Sequence, residues 1–329
     1  MSIRGNKMYD QLLMFKVCKM FYYQQLSKIE IAEKLHISRF KVARLLNEAQ
    51  KAGIVRIQIL NPSSKDMFSL EERLERELGL KAVLIIEGVD NDLELNKRQL
   101  GSEAAKFLLE SIHDNDVLGI AWGSTVKEVI KALPEKVGVK VSHIVQVAGG
   151  LGLLNRVEDI RILNSLGEKL NAEVSTFVVP ILVQTGDSKK VLLQDPAISK
   201  TVDLFSSITI ALVGIGSWYS EITSNLHLEG RFPQQDVDWL QKNGVVGDIF
   251  NHMVDIKGNI IDGPLTDRLM TIDLDLAKKI KYVIAVAGGV YKSHAILGAV
   301  RSGLVDALVT DSYTATKILE IIEEEKSKT

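Results

Sequence analysis

Cysteine is almost absent from this chain: Cys18 is the only one in 329 residues. An intramolecular disulfide is therefore excluded, and a reducing compartment is expected. Cys18 sits in an apolar helical pattern and reads as a small core residue. One cysteine and six scattered histidines complete no zinc pattern, so no metal site and no cofactor are expected. Long apolar runs are missing too. A stretch such as "ITIALVGIG" (208–216) falls far short of the ~20 residues that cross a bilayer. The N-terminal "MSIRGNKMYDQ" has no hydrophobic segment of the kind a signal peptide needs. A soluble, cytoplasmic protein without a membrane partner is the expectation. There is no GxxxxGK[ST] loop, and "GIGS" (214–217) lacks the third glycine and the acidic partner of a dinucleotide fingerprint. A nucleotide-dependent enzyme is not indicated.

Charge is present but unevenly placed. The formal net charge is −2, yet residues 1–60 carry 11 Lys/Arg against 4 Asp/Glu, and the remainder carries 29 against 38. A head of +7 on a body of −9 points the head toward a polyanion.

The pattern along the chain gives the head a shape. Leu13, Val17, Met20 and Phe21 recur at helical spacing. Ser27 and Glu30 fit a capping box that opens a second helix, with Ile31, Ala32 and Leu35 on its inner face. "HIS" (36–38) reads as a tight turn. Ser38 is a good N-cap for a third helix, in which Val42, Leu45, Leu46 and Ala49 face inward until Gly53 ends it. "IVRIQI" (54–59) alternates as a short strand. Three helices and a strand make a helix-turn-helix domain with a small wing over residues 1–60. In such a unit the start of the second helix of the motif reaches the bases of the major groove. Ser38, Arg39, Phe40, Lys41 and Arg44 are the candidate DNA-binding residues. Arg39 or Arg44 could pair with guanine, while Ser38, Lys41 and Lys51 suit phosphates. A three-helix interaction domain with a solvated basic face is the plainer alternative.

"NPSSKD" (61–66) reads as a linker, and Leu70, Leu74 and Leu78 share one face of an amphipathic helix behind it. That helix either packs on its own domain or pairs with a second copy, and residues 61–80 are taken as a linker and oligomerisation helix. From residue 81 to 329, strand and helix patterns alternate. Strands are expected at "AVLIIE", "DVLGIAW", "HIVQVAGG", "VSTFVV", "SITIALVGIG", "YVIAVAGG" and "DALVT". Several are continuous apolar runs, as buried parallel strands should be. The fold class is α/β with a mostly parallel sheet.

In open parallel sheets ligands bind at the carboxyl ends of strands, where glycines let backbone N–H groups approach an anion. Four such ends stand out: Gly123, Ser124 and Thr125; Gln146, Gly149, Gly150 and Gly152; Gly214, Gly216 and Ser217; and Gly288, Gly289 and Lys292. Each could equally be a turn. Lys292 could meet a phosphate or be an ordinary surface lysine. Asp248, after Gly247, could accept sugar hydroxyls or cap a helix.

Together, "EIAEKLHISRFKVARLLNEAQKAGIV", "LGIAWGSTV", "QVAGGLG", "GVVGDIF", "LTDRLMTIDL" and "VIAVAGGVYKSHAILGAVRSGLVDALVTDSYTA" resemble the SorC family of sugar-responsive bacterial transcription regulators, over essentially the whole chain. The resemblance implies a helix-turn-helix head followed by an effector domain similar to ribose-phosphate isomerase and glucosamine-phosphate deaminase. It implies a homo-oligomer, dimer or tetramer, whose hold on operator double-stranded DNA is changed by a sugar or sugar phosphate. Carried onto matching positions, the effector site takes Gly123, Ser124, Thr125, Gln146, Gly149, Gly150, Asp248, Gly288, Gly289 and Lys292. Some relatives hold an aldehyde sugar as a Schiff base on a lysine just before the paired glycines of the "QVAGG" turn. Here that position is Ala148, so non-covalent binding is expected. An active isomerase fused to a DNA-binding head is the competing class. It would need a general base beside the cradle, and Asp248 and His294 are the candidates. They make no convincing acid–base pair, so no catalytic residue is assigned.

Overall fold

The computed structural model describes residues 12–55, 64–89, 92–121, 123–150, 153–219 and 232–328; for residues 64–66, 153–157 and 159 it describes the backbone alone. The chain divides into two compact units, Met1–Ser64 and Lys65–Thr329.

In the small unit, residues 12–18 are helical and run into a π-helical stretch, Lys19–Tyr23. The helix Lys28–Leu35 opens on a complete capping box. Glu30 N–H donates to the Ser27 hydroxyl, and Ser27 N–H donates to the Glu30 carboxylate at 2.8 Å. His36 ends the helix in the left-handed region, at φ 51°. Two residues later Ser38 is extended, and its hydroxyl accepts the Lys41 N–H at 3.2 Å, starting the helix Arg39–Lys51. Val17, Cys18, Ile31, Val42, Leu45, Leu46 and Ala49 close one apolar core between the three segments. The expected wing strand falls mostly on residues 56–60, outside the described residues; Ile54 and Val55 follow the helix in a turn.

The large unit is built on a seven-stranded, wholly parallel sheet. In chain order its strands are β1 (Ala82–Ile86), β2 (Val117–Ile120), β3 (His143–Gln146), β4 (Glu173–Ser175), β5 (Ile210–Val213), β9 (Tyr282–Val286) and β10 (Ala307–Asp311). Their spatial order is β1-β10-β9-β5-β2-β3-β4. Six lie on the apolar runs that the sequence marks; β4 keeps only the first two residues of "VSTFVV" and starts at Glu173. The side-chain period of two puts Ile210 and Leu212 on one face of β5 and Ala211 and Val213 on the other. The first pair packs toward the helices Leu93–Ser111, Ser124–Ala132 and Leu153–Leu170. The second joins the core that includes residues of the helices Ser293–Arg301 and Ser312–Ser327. Burial on both faces is why these strands read as unbroken apolar runs.

The chain lays β3 and β4 on one side of β2, then returns to place β5 on the other. This reversal between β2 and β5 is a topological switch point. One residue after β5, Gly214, the chain leaves the main sheet and forms a small antiparallel sheet of β6 (Ile215–Ser217), β7 (Val245–Ile249) and β8 (His252–Asp255). The sequence pattern had marked β6 only as the tail of a longer strand and had not marked β7 or β8. Phe250 and Asn251, at φ 51° and 61°, make the tight turn of the β7–β8 hairpin.

The helix Ser64–Leu78 takes the first of the two roles its apolar stripe allowed, packing on its own domain. Its stripe does not lie open for a second copy: Leu74 is fully buried in the body's own core, and Leu70 and Leu78 pack against that core. Its acidic face closes the sheet edge. Glu71 accepts the Ile85 N–H at 2.7 Å and Glu75 accepts the Val83 N–H at 2.8 Å, so outward-facing amides of edge strand β1 are bonded. Arg73 and Glu77 also pair with Glu323 and Lys326 of the helix Ser312–Ser327.

Candidate functional site

The switch point brings two glycines face to face. A Cβ built on Gly123 would lie 3.8 Å from the Gly214 Cα, and one on Gly214 would lie 3.9 Å from the Gly123 Cα. Neither position needs glycine for its backbone angles; what both supply is side-chain-free space at the mouth between β2 and β5. Gly123 is also the N-cap of the helix Ser124–Ala132 and offers no capping side chain. The first hydrogen bond of that helix is Lys127 N–H to Gly123 O at 3.0 Å. The amides before it have no acceptor within the helix, which makes this end attractive to an anion. Thr125 is buried behind the opening and Ser124 is exposed.

Lys292 reaches the same neighbourhood from β9. It ends the short 3-10 turn Val290–Lys292, and its ammonium donates to the Ile215 carbonyl at 2.7 Å, one residue beyond Gly214. Burial lowers its pKa to about 8; the nearby Asp248 carboxylate works against that shift and Lys97 adds to it. Asp248, buried on β7, stands opposite Gly216 on β6. Its carboxylate lies where a Gly216 side chain would be, and it accepts the Trp218 indole N–H at 2.8 Å. The structure thus gathers Gly123, Ser124, Thr125, Asp248 and Lys292 around the β2–β5 crevice. It brings in Gly214 and Gly216 of the third strand end as well, and adds Trp218 and Lys97, which the sequence had not marked. Trp218 directly follows "GIGS", the one sequence signal that could have flagged it.

The other glycine turns have different work. Gly149 N–H donates to Met270 O at 2.9 Å and Gly150 N–H to Val179 O at 2.8 Å. A Cβ on Gly149 would meet Val179 O and Pro180 O at 2.8 Å. The Gln146 side chain donates to Ala148 O at 2.6 Å and accepts the Phe177 N–H at 3.2 Å. This turn is a packing joint, and the reading of the Gly149 and Gly150 amides as donors to an effector is corrected: their acceptors come from segments up to about 120 residues away in the chain. The same holds for Gly289. Its φ of +104° suits only glycine, but its N–H donates to Asp311 and Thr314, both at 2.8 Å. A side chain at Gly288 would collide with Asp311 and Leu100. Asp311 also accepts from Asn96 and caps the helix Ser312–Ser327. Gly288 and Gly289 therefore shape the turn that delivers Lys292, whose N–H bonds Gly289 O at 2.8 Å. His294 stacks on Tyr219, ring centroids 4.2 Å apart, and burial lowers its pKa.

In the small unit, Arg39, Phe40 and Arg44 are exposed and Lys41 is half-buried. The Ser38 hydroxyl is engaged as the helix cap. Arg44 lies 3.7 Å from Glu48. Among the described residues, no helix is long and apolar enough to cross a membrane.

Residues 63–320 match the family described as "Putative sugar-binding domain". The chain is 28% identical to the Deoxyribonucleoside regulator of Bacillus subtilis (strain 168), over 94% of this chain and 97% of that one. It is 27% identical to the Sorbitol operon regulator of Klebsiella pneumoniae, over 94% and 98%. Its fold is similar to the crystal structure of the full-length Klebsiella pneumoniae regulator SorC, with a TM-score of 0.75, 26% identity, and coverage of 94% of this chain and 99% of that one. By the extent of the family match and the end-to-end alignment with these relatives, the chain belongs to the sugar-binding-domain family of SorC-type regulators.

Proposed function

We propose that this protein is a DNA-binding transcription regulator whose hold on an operator is set by a sugar or sugar phosphate bound without a covalent bond in the β2–β5 crevice. The observation that carries the reading is the crevice itself. An uncapped helix N-terminus, two facing glycines, a half-buried lysine and a buried carboxylate meet where an open parallel sheet reverses its strand order. The helix end and Lys292 suit an anionic group, and Asp248 suits hydroxyls. The relatives supply the context: they are named as regulators of a sorbitol operon and of deoxyribonucleosides. The small unit supplies the other half, with two helices joined by a three-residue turn and a strongly basic composition, read as a helix-turn-helix on double-stranded DNA. We read it as a binding protein rather than a catalyst because its relatives are named as regulators, and the contacts of Asp248 with Trp218 and of His294 with Tyr219 fit that reading.

The mechanism is a population shift. Effector binding changes the preferred arrangement of a homo-oligomer, a dimer or tetramer, and with it the spacing of paired heads on the DNA. The test is a thermal-shift screen of the full chain against sugars and sugar phosphates. A bound ligand raises the melting temperature as its excess over Kd grows. A shift with one phosphosugar that disappears in Lys292→Ala supports the site. A panel that gives no shift, or a shift that Lys292→Ala leaves unchanged, overturns it.

A further inference from the structure

Phe40 is the outlier of the small unit: a large aromatic side chain, 87% exposed, at the second position of the helix Arg39–Lys51. Folding gains nothing from it. The core of the unit is closed by Val42, Leu45, Leu46 and Ala49 on the opposite side of that helix. At 3.6 residues per turn, Phe40 and Arg44 lie about 40° apart and point straight away from this core, whereas Arg39 sits about 100° from Phe40 and nearer the buried side. Lys41 flanks the other side. The outermost ridge of the helix is therefore an aromatic ring followed, one turn on, by a guanidinium, with basic residues at both flanks. Ser38 holds the start of the helix through its cap to the Lys41 N–H, which fixes the direction of this ridge. The net charge of +7 over residues 1–60 makes a polyanion the fitting partner of the face.

We infer that Phe40 is a specificity-determining residue that reads the 5-methyl group of a thymine in the major groove, within a short step of the base that Arg44 reads. The inference rests on the reading of the small unit as a DNA-binding head. Of the base edges in the major groove, thymine alone presents a methyl group, and an apolar side chain is what recognises it. A phenyl ring has no hydrogen bond to offer a phosphate, so on this ridge it has no positioning role. Four residues of helix advance about 6 Å, close to two base steps. The thymine should therefore lie about two base pairs from the position that Arg44 controls. Arg39, on the flank, becomes a phosphate-contacting residue rather than a reader.

The experiment is a selection of bound duplexes from a random-sequence DNA library by the full chain, its Phe40→Ala and Phe40→Leu variants, and Arg44→Ala. Phe40 is exposed, so these variants should keep the melting temperature of the parent, and that is measured alongside. The wild type should enrich a motif containing a thymine column. Phe40→Ala should lose that column and keep the others, Phe40→Leu should partly retain it, and Arg44→Ala should erase a column about two positions away. Replacing that thymine by deoxyuridine removes only the methyl group. It should weaken the wild type about fourfold and leave Phe40→Ala unchanged. A thymine column that survives Phe40→Ala overturns the inference while leaving the head a DNA binder. An equal loss of affinity for every sequence overturns it too, because it would make Phe40 a wedge or a structural prop. No enrichment by the wild type would defeat the DNA-binding reading, and this inference with it.

Discussion

Two glycine-bearing regions of the body, the exit of β3 and the paired exits of β2 and β5, look alike in one dimension and differ in three. The exit of β3, with Gln146, Gly149 and Gly150, carries the more suggestive glycine pair. Its amides and its glutamine side chain are bonded to backbone from the segments around Phe177–Val179 and Met270. The exits of β2 and β5 carry isolated glycines, Gly123 and Gly214, yet they leave side-chain-free space beside a half-buried lysine and a buried carboxylate. Glycine after a strand thus serves either close packing or access. What tells the two apart is where the N–H groups go and which charges lie nearby.

The largest effect that sharpens this contrast is electrostatic, because the β2–β5 crevice holds a half-buried ammonium whose pKa is lowered by its surroundings. Lys292 has a folded-state pKa near 8, below its ordinary value of 10.5. The unfolded chain therefore binds the extra proton more readily, and stability should rise as pH increases from about 8 to about 10.5. The gain is on the order of 3 kcal/mol. Below pH 8 the penalty is fully present and the contribution is flat. Urea unfolding at pH 8 and at pH 10 should show this rise in the wild type and a smaller one in Lys292→Met. An equal rise in both would place the titration elsewhere. An anionic effector stabilises the charged ammonium, so its affinity should fall as pH climbs above 8 in the wild type and stay flatter in Lys292→Met.

Steric substitution separates the two strand ends next. Gly149→Ala drives a methyl group into the Val179 and Pro180 carbonyls and should cost about 1–3 kcal/mol in urea unfolding. Gly123→Ala meets only ordinary van der Waals neighbours and should stay within about 0.5 kcal/mol of the parent. Its effect should appear instead as weaker effector binding in the thermal-shift screen. If Gly123→Ala proved as destabilising as Gly149→Ala, the comparison would collapse.

A polar deletion at the joint should be smaller. Gln146→Met keeps the volume but leaves the buried Phe177 N–H without its acceptor, a loss of about 1–2 kcal/mol in the same assay with effector affinity intact. The smallest stability effect belongs to Ser124→Ala, at an exposed position on the first turn of its helix: within about 0.5 kcal/mol, read against a modest loss of effector affinity.

The parallel sheet was legible because burial on both faces imposes continuous apolar runs, and those runs mark every strand of it except the short edge strand β4. The Ser27–Glu30 capping box was legible because both partners lie within one helical turn. The antiparallel sheet was not: β6 has three residues, with Gly216 leaving room for the Asp248 carboxylate, and "GVVGD" breaks the apolar signal of β7 with Gly247, which the close approach of Ala295 requires. The helices Gly186–Leu193 and Pro196–Asp203 were also missed, since the first buries no residue fully and the second only Thr201, so their periodicity is weak. The Leu70–Leu74–Leu78 stripe was seen, but a stripe states only that a helix must cover something.

By itself the sequence determined the α/β class, the positions of the inner parallel strands, the caps of the small unit's helices and the split of charge between head and body. Each depends on residues close together in the chain or on composition. Only the tertiary structure decided which glycine amides are already bonded, that the helix Ser64–Leu78 closes an edge of its own sheet, and that Asp248 and Trp218 stand beside Lys292. Those outcomes depend on which distant segment supplies the neighbouring acceptor, apolar face or charge. That choice is made when the strands take their order in the sheet.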